Sequence, residues 1–126
     1  MTDPILSTLP KNFLRPCLLL LLREQPAHGY ELLERMQTFG LEGSDPGGLY
    51  RSLRKLEGEG LVRSAWEPSS FGPARRIYEI TRAGMEELHE RAKGLVEARG
   101  TLDSFLGRYE ELVALRRAEA PAPAAG

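Results

Sequence analysis

Asp45-Pro46 opens a segment in which Arg51 and Arg54 stand three residues apart. On a helix that spacing sets two guanidinium groups one turn apart on a single face, where planar forks can grip guanine edges or phosphates. With successive residues set 100° apart, Leu49, Leu53 and Leu56 fall together within about 60°. Gly47, Arg51 and Arg54 lie opposite, with Tyr50 and Lys55 at the edges of that outer face. Gly47 and Gly48 leave the first turn nearly bare, so its N–H groups are candidates for a phosphate contact. A basic outer face is also what any solvated amphipathic helix shows. The neighbouring segments decide between the two.

Two short runs of roughly alternating polarity follow, 61–67 and 75–80, separated by the turn-forming stretch 68–73. They predict a β-hairpin with a six-residue tip and with Arg63, Arg75 and Arg76 flanking the turn. Successive strand side chains alternate between faces, so Arg75 and Arg76 are expected to divide into one phosphate contact and one structural pair. Trp66 is expected to pack beneath the hairpin, with a ligand-stacking or interface role as the alternative. No phosphate-binding glycine loop and no nucleophile with a base and an orienting partner are present, which excludes the common catalytic sites. His28 reads as a helix-start or packing residue. With His28, His89 and Cys17 the only histidines and cysteine, neither a metal site, a cofactor nor an internal disulfide is expected.

The elements that must position these residues follow from the rest of the chain. At 126 residues, 28% charged and 41% hydrophobic, the composition is that of one globular domain with appendages. The net charge of −1 divides unevenly: four Lys/Arg against five Asp/Glu over 1–43, seven against five over 44–82, and six against eight over 83–126. The middle is the basic part. A first helix from an Asn12 N-cap to about Glu24 tolerates Pro16 in its first turn and is apolar on every side over 17–22, as a central helix would be. Charged flanks at Arg15 and Arg23-Glu24, without a cleavage site, argue against a signal peptide or membrane span and for the cytoplasm. A second helix opens at His28-Gly29-Tyr30, runs through Leu33 and Met36 and ends at Gly40. The third runs from the Asp45-Pro46 cap to about Glu57.

Three helices followed by a hairpin is the order of a winged helix-turn-helix, with the third helix in the major groove and the hairpin at its flank. The expected fold is therefore mainly α with a small β-hairpin. Residues 1–10 form an N-terminal arm, 11–81 the winged helix-turn-helix domain, 82–117 a long C-terminal dimerisation helix and 118–126 a disordered tail.

The motifs 28–32 (His-Gly-Tyr-Glu-Leu), 48–57 (Gly-Leu-Tyr-Arg-Ser-Leu-Arg-Lys-Leu-Glu), 60–62 (Gly-Leu-Val), 72–78 (Gly-Pro-Ala-Arg-Arg-Ile-Tyr) and 81–84 (Thr-Arg-Ala-Gly) resemble the PadR family of winged-helix regulators in order and spacing. The family usually has Thr where Gly48 stands, so a hydroxyl at the helix start is missing. Segments 10–13, 39–40 and 102–105 resemble the branch of polyhydroxybutyrate-responsive repressors. The resemblance implies a homodimer on a pseudo-palindromic double-stranded operator, often with ATGT and ACAT half-sites. It also implies repression until an effector, a small molecule or polyhydroxybutyrate, releases the protein. The competing reading is a winged helix used for protein association without specific DNA binding.

After Thr81, an N-cap, a heptad runs through Met85, Ala92, Arg99, Leu106 and Val113 at one position and Leu88, Leu95, Leu102 and Tyr109 at the other. Gly100-Thr101 is also a pattern that ends one helix and caps the next, but the unbroken phase predicts a helix that continues through Gly100, with a bend allowed there. A single helix this long would leave much of that stripe exposed in a monomer, so it is expected to pack on the first helix and on a partner subunit. The alternative is that the stripe only covers the protein's own core. The dimer contacts would come from Cys17, Leu20 and Leu21 of the first helix and from Leu88, Leu95, Leu102, Phe105, Leu106 and Tyr109 of the long one.

Overall fold

A computed structural model describes residues 9, 12–40, 45–68 and 72–119. The tip residues 69–71, most of the expected arm and the chain after Glu119 lie outside them. The order is α1 (Leu14–Glu24), β1 (Ala27–His28), α2 (Gly29–Met36), a 3-10 turn (Gln37–Phe39), α3 (Pro46–Gly58), β2 (Val62–Glu67), β3 (Arg75–Ile80) and α4 (Arg82–Glu119). Mostly helical with a small antiparallel sheet, the fold is the expected winged helix-turn-helix. By backbone contacts the chain divides into two compact units, 1–91 and 92–126.

In the first unit α1 is the central element. Cys17, Leu18, Leu19, Leu21 and Leu22 are buried, packed with Leu32 and Met36 of α2, Leu49, Leu53 and Leu56 of α3, and Val62 and Tyr78 of the sheet. Each fully buried leucine contributes about 1.5–3 kcal/mol relative to exposure. Leu20 alone in that run reaches solvent. The expected partner contacts of Cys17 and Leu21 are therefore corrected: at 3% exposure each is consumed by the chain's own core and has no surface left to offer. Burial also pushes the Cys17 thiol up to about 11.

Asn12 is not the N-cap. It adopts a left-handed conformation (φ 59°), its carbonyl accepts the Arg15 N–H at 3.1 Å, and the helix starts two residues later without a side-chain cap. Pro16 sits in the first turn, where no intrahelical N–H is needed. Arg15 then ties the unit together. It donates from Nε to Glu87 on α4 at 2.7 Å and from Nη1 to Glu59, just after α3, at 2.6 Å. This guanidinium holds Glu59 below the usual carboxylate range.

Gly40 closes the second helical segment in the left-handed region (φ 76°), as its position in the sequence predicts. The sheet has three strands rather than the two of a simple hairpin, in the order β1-β3-β2. Two residues after Pro26 suffice for β1, with Ala27 opposite Tyr78 and His28 opposite Ile77, a run too short to show alternation in the sequence. In the hairpin Val62 pairs with Ile80 and Glu67 with Arg75. One face therefore carries Val62, Ser64, Trp66, Arg76, Tyr78 and Ile80. The other carries Arg63, Ala65, Glu67, Arg75, Ile77 and Glu79.

Thr81 caps α4, its hydroxyl accepting the Gly84 N–H at 3.1 Å and donating to the Gly60 carbonyl at 2.7 Å. Gly84 is required here because a Cβ would overlap the Leu61 carbonyl oxygen. The helix continues through Gly100, and Thr101 donates back to the Glu97 carbonyl at 3.3 Å instead of capping a new helix. In the second unit no described residue is buried. Leu102, Phe105, Leu106, Tyr109, Leu112 and Leu115 are all exposed.

Candidate nucleic-acid interface

The faces of α3 are those its leucine spacing predicts. Leu49, Leu53 and Leu56 are at most 1% exposed, while Gly47, Arg51, Arg54 and Lys55 face solvent. Among the described residues Arg54 and Lys55 make no ion pair, although Lys55 lies within electrostatic reach of Glu59. Arg51 is partly engaged, because its Nη2 lies 3.5 Å from Asp45 Oδ2.

Asp45 corrects the expectation for the first turn. Its carboxylate accepts the N–H of Gly47 at 3.2 Å and of Gly48 at 3.1 Å. The donors expected to meet a phosphate are thus already bonded, beside a negative charge. An aspartate N-cap accepts from the second and third helical N–H groups by its nature, so the cap residue itself was the signal. Tyr50 is 40% exposed, but its ring lies where a side chain on residue 29 would stand. Gly29 is the notch that lets α3 dock against the start of α2.

Both wing arginines have partners within the chain. Arg75 Nη1 donates to the Tyr30 hydroxyl at 2.9 Å, with its guanidinium 5.5 Å from that ring's centre. Arg76 lies 4.9 Å over the Trp66 ring, and its Nη1 is 4.0 Å from Glu57 Oε1 on α3. Arg76 makes the structural pair expected of one of the two, and Arg75 is held by a neutral hydroxyl rather than by a carboxylate. Arg63 is paired with Glu79 across the hairpin. Trp66 is not beneath the wing: it is 63% exposed, because its register position opposite Arg76 lies past the last buried residues of the sheet.

His28 is a packing and helix-start residue. Its backbone N–H donates to Glu31 at 2.9 Å, its Nδ1 meets the same carboxylate, and its ring stacks on Tyr30 at 5.6 Å. The backbone N–H first, and then the ring, hold Glu31 below the usual carboxylate range. His28 Nε2 is 3.3 Å from Glu67 at the end of β2, off the line of a hydrogen bond. Tyr30, Glu57 and Ser64 are contributors to this region that the sequence reading did not single out. The Tyr30 position two residues past the His28 cap, and Glu57 three residues after Arg54, are the signals the sequence offers for two of them.

A helix presenting free cations, seated on an apolar core and flanked by an arginine-bearing hairpin, defines a winged-helix DNA-binding fold. The family model described as the Transcriptional regulator PadR-like family matches residues 18–90, and the chain belongs to that family. A transcriptional regulator of Mycobacterium tuberculosis is 36% identical over 74 residues, 59% of this chain and 67% of the relative. Among solved structures, a PadR-like transcriptional regulator from Bacillus cereus superposes with a TM-score of 0.69 at 29% identity, covering 76% of this chain and 93% of that one. A PadR family transcriptional regulator from Eggerthella lenta gives 0.71 at 27% identity, covering 81% and 88%. The family is one of transcriptional regulators, not of enzymes. No helix among the described residues is long and apolar enough to cross a membrane.

Proposed function

We propose that the protein is a homodimeric repressor that reads a pseudo-palindromic operator with α3 and is released by an effector. The observation that carries the DNA reading is the exposed, unpaired pair Arg54 and Lys55 beside Arg51, on a helix whose opposite face is locked into the core. The exposed apolar stripe of residues 102–115 supports a dimer. Two copies of α3 held about 34–36 Å apart would meet successive turns on one side of the duplex. Segments 10–13, 39–40 and 102–105 favour the polyhydroxybutyrate-responsive branch over a small-molecule effector.

Binding to the DNA upstream of the protein's own gene, followed by anisotropy against salt, tests the reading. Contact with about four to eight phosphates makes affinity fall steeply as salt rises. Arg54→Ala is expected to cost about 1–3 kcal/mol and to relax base preference. Salt-independent binding, or an Arg54→Ala variant that binds like the parent, overturns it.

A further inference from the structure

The hairpin extends past the core: Val62 and Tyr78 are its buried residues, and from Ala65 to Pro68 and Gly72 to Arg76 every described position is exposed. A bare two-stranded ribbon of this kind is marginally stable in water. Something else must hold it.

We propose that Arg75 and Arg76 are positioning residues that brace the wing from both faces of the sheet, Arg75 onto α2 and Arg76 onto α3. In doing so they set where Arg54 and Lys55 meet DNA. The proposal rests on the DNA-binding reading above. Being neighbours on β3, the two side chains leave opposite faces of the sheet. On one face Arg75 donates to Tyr30 at 2.9 Å, Tyr30 stacks on His28 at 5.6 Å, and His28 Nε2 faces Glu67 at 3.3 Å. Glu67 is the cross-strand neighbour of Arg75, so these four residues form one contiguous patch. On the other face Arg76 lies over its own cross-strand partner, Trp66, at 4.9 Å and approaches Glu57 of α3 at 4.0 Å. Ser64 of β2 donates to the second oxygen of the same carboxylate, so strand and helix are joined at one residue. Arg76, facing both a carboxylate and an aromatic ring, has part of its charge already answered within the protein, while Arg75 has its Nη1 engaged by the Tyr30 hydroxyl. Of the described cations on α3 and the hairpin, Arg54 and Lys55 are the two with neither a hydrogen bond nor an ion pair.

The test uses two variants that leave both arginines and their charges in place, Tyr30→Phe and Glu57→Gln. If Arg75 and Arg76 were themselves the phosphate contacts, Tyr30→Phe would not weaken binding. Glu57→Gln would strengthen it, by removing a negative charge beside DNA. The brace predicts the opposite sign: each variant weakens duplex binding by about twofold to fivefold, the worth of one part-exposed hydrogen bond or screened ion pair. The slope of affinity against salt stays unchanged. In the free protein, amide exchange over 62–67 and 75–80 rises by a similar factor, and the emission of Trp66, the single tryptophan, shifts in Glu57→Gln. Tighter binding by Glu57→Gln, or a salt slope reduced by about one in Arg76→Gln, overturns the proposal. So does unchanged exchange in both variants, whether or not the parent binds DNA. Absence of salt-dependent binding by the parent is instead the failure of the DNA reading.

Discussion

Residues 1–91 surround a continuous apolar core drawn from three helices and a sheet, whereas residues 92–119 form a helical segment that buries nothing of its own. The two stretches do not differ in apolar content so much as in where the apolar side chains can go. Leu18, Leu32 and Leu53 meet one another because three short helices turn back on themselves. Phe105, 65% exposed, and Leu112 lie on an element that does not turn. The first region completes its fold within one chain. The second leaves an apolar surface that, in the proposed dimer, a second copy would cover.

The largest effect expected is in the first region. Leu53→Ala removes a side chain with no exposure and should cost about 2–5 kcal/mol of unfolding free energy, measured by urea titration. Cys17 gives an independent readout: with its thiol buried and its pKa raised, labelling by a thiol reagent should wait for unfolding in the parent and accelerate in the variant. An unchanged urea midpoint would mean that the core tolerates a hole there.

A comparable change in the second region should act elsewhere. Phe105→Glu combined with Leu106→Glu should leave Cys17 protected but raise the dimer dissociation constant by about a hundredfold or more, about 3 kcal/mol. Sedimentation velocity at micromolar concentration reads this. A variant that remains dimeric would place the seam off this stripe.

The smallest effect concerns Glu31. A carboxylate whose folded pKa is depressed adds stability above its unfolded value, about 4.3, and loses it as pH falls through the folded one. The urea midpoint should therefore fall on acidification below that range, with Glu31→Gln flattening the dependence by less than about 1 kcal/mol because the site is open to solvent. A steeper dependence in the variant would show that Glu31 is not a source.

The same contrast governs what the sequence reveals. The Asp45-Pro46 cap, the leucine period of α3, Gly40 and Thr81 are local signals, and each element they mark is present. What the sequence hides is set by partners distant along the chain. No period betrays β1, which exists because β3 offers it an edge. The exposure of Trp66 depends on where the core ends beneath the hairpin, and the engagement of Arg75 depends on a tyrosine forty-five residues earlier. Cys17 and Leu21 looked fit for an interface because apolarity in a sequence does not say whose apolar surface will cover it.

Asp45 has a consequence for how such a protein finds its site. Its carboxylate holds the first-turn amides and is only partly answered by Arg51 at 3.5 Å, so in the proposed function every stretch of duplex would meet the same residual negative charge there. In the proposed function that repulsion falls equally on right and wrong sequences and leaves their affinity ratio untouched. It shortens the stay on each wrong one, and a regulator that lingers less at the many incorrect sites samples more of the genome in a given time.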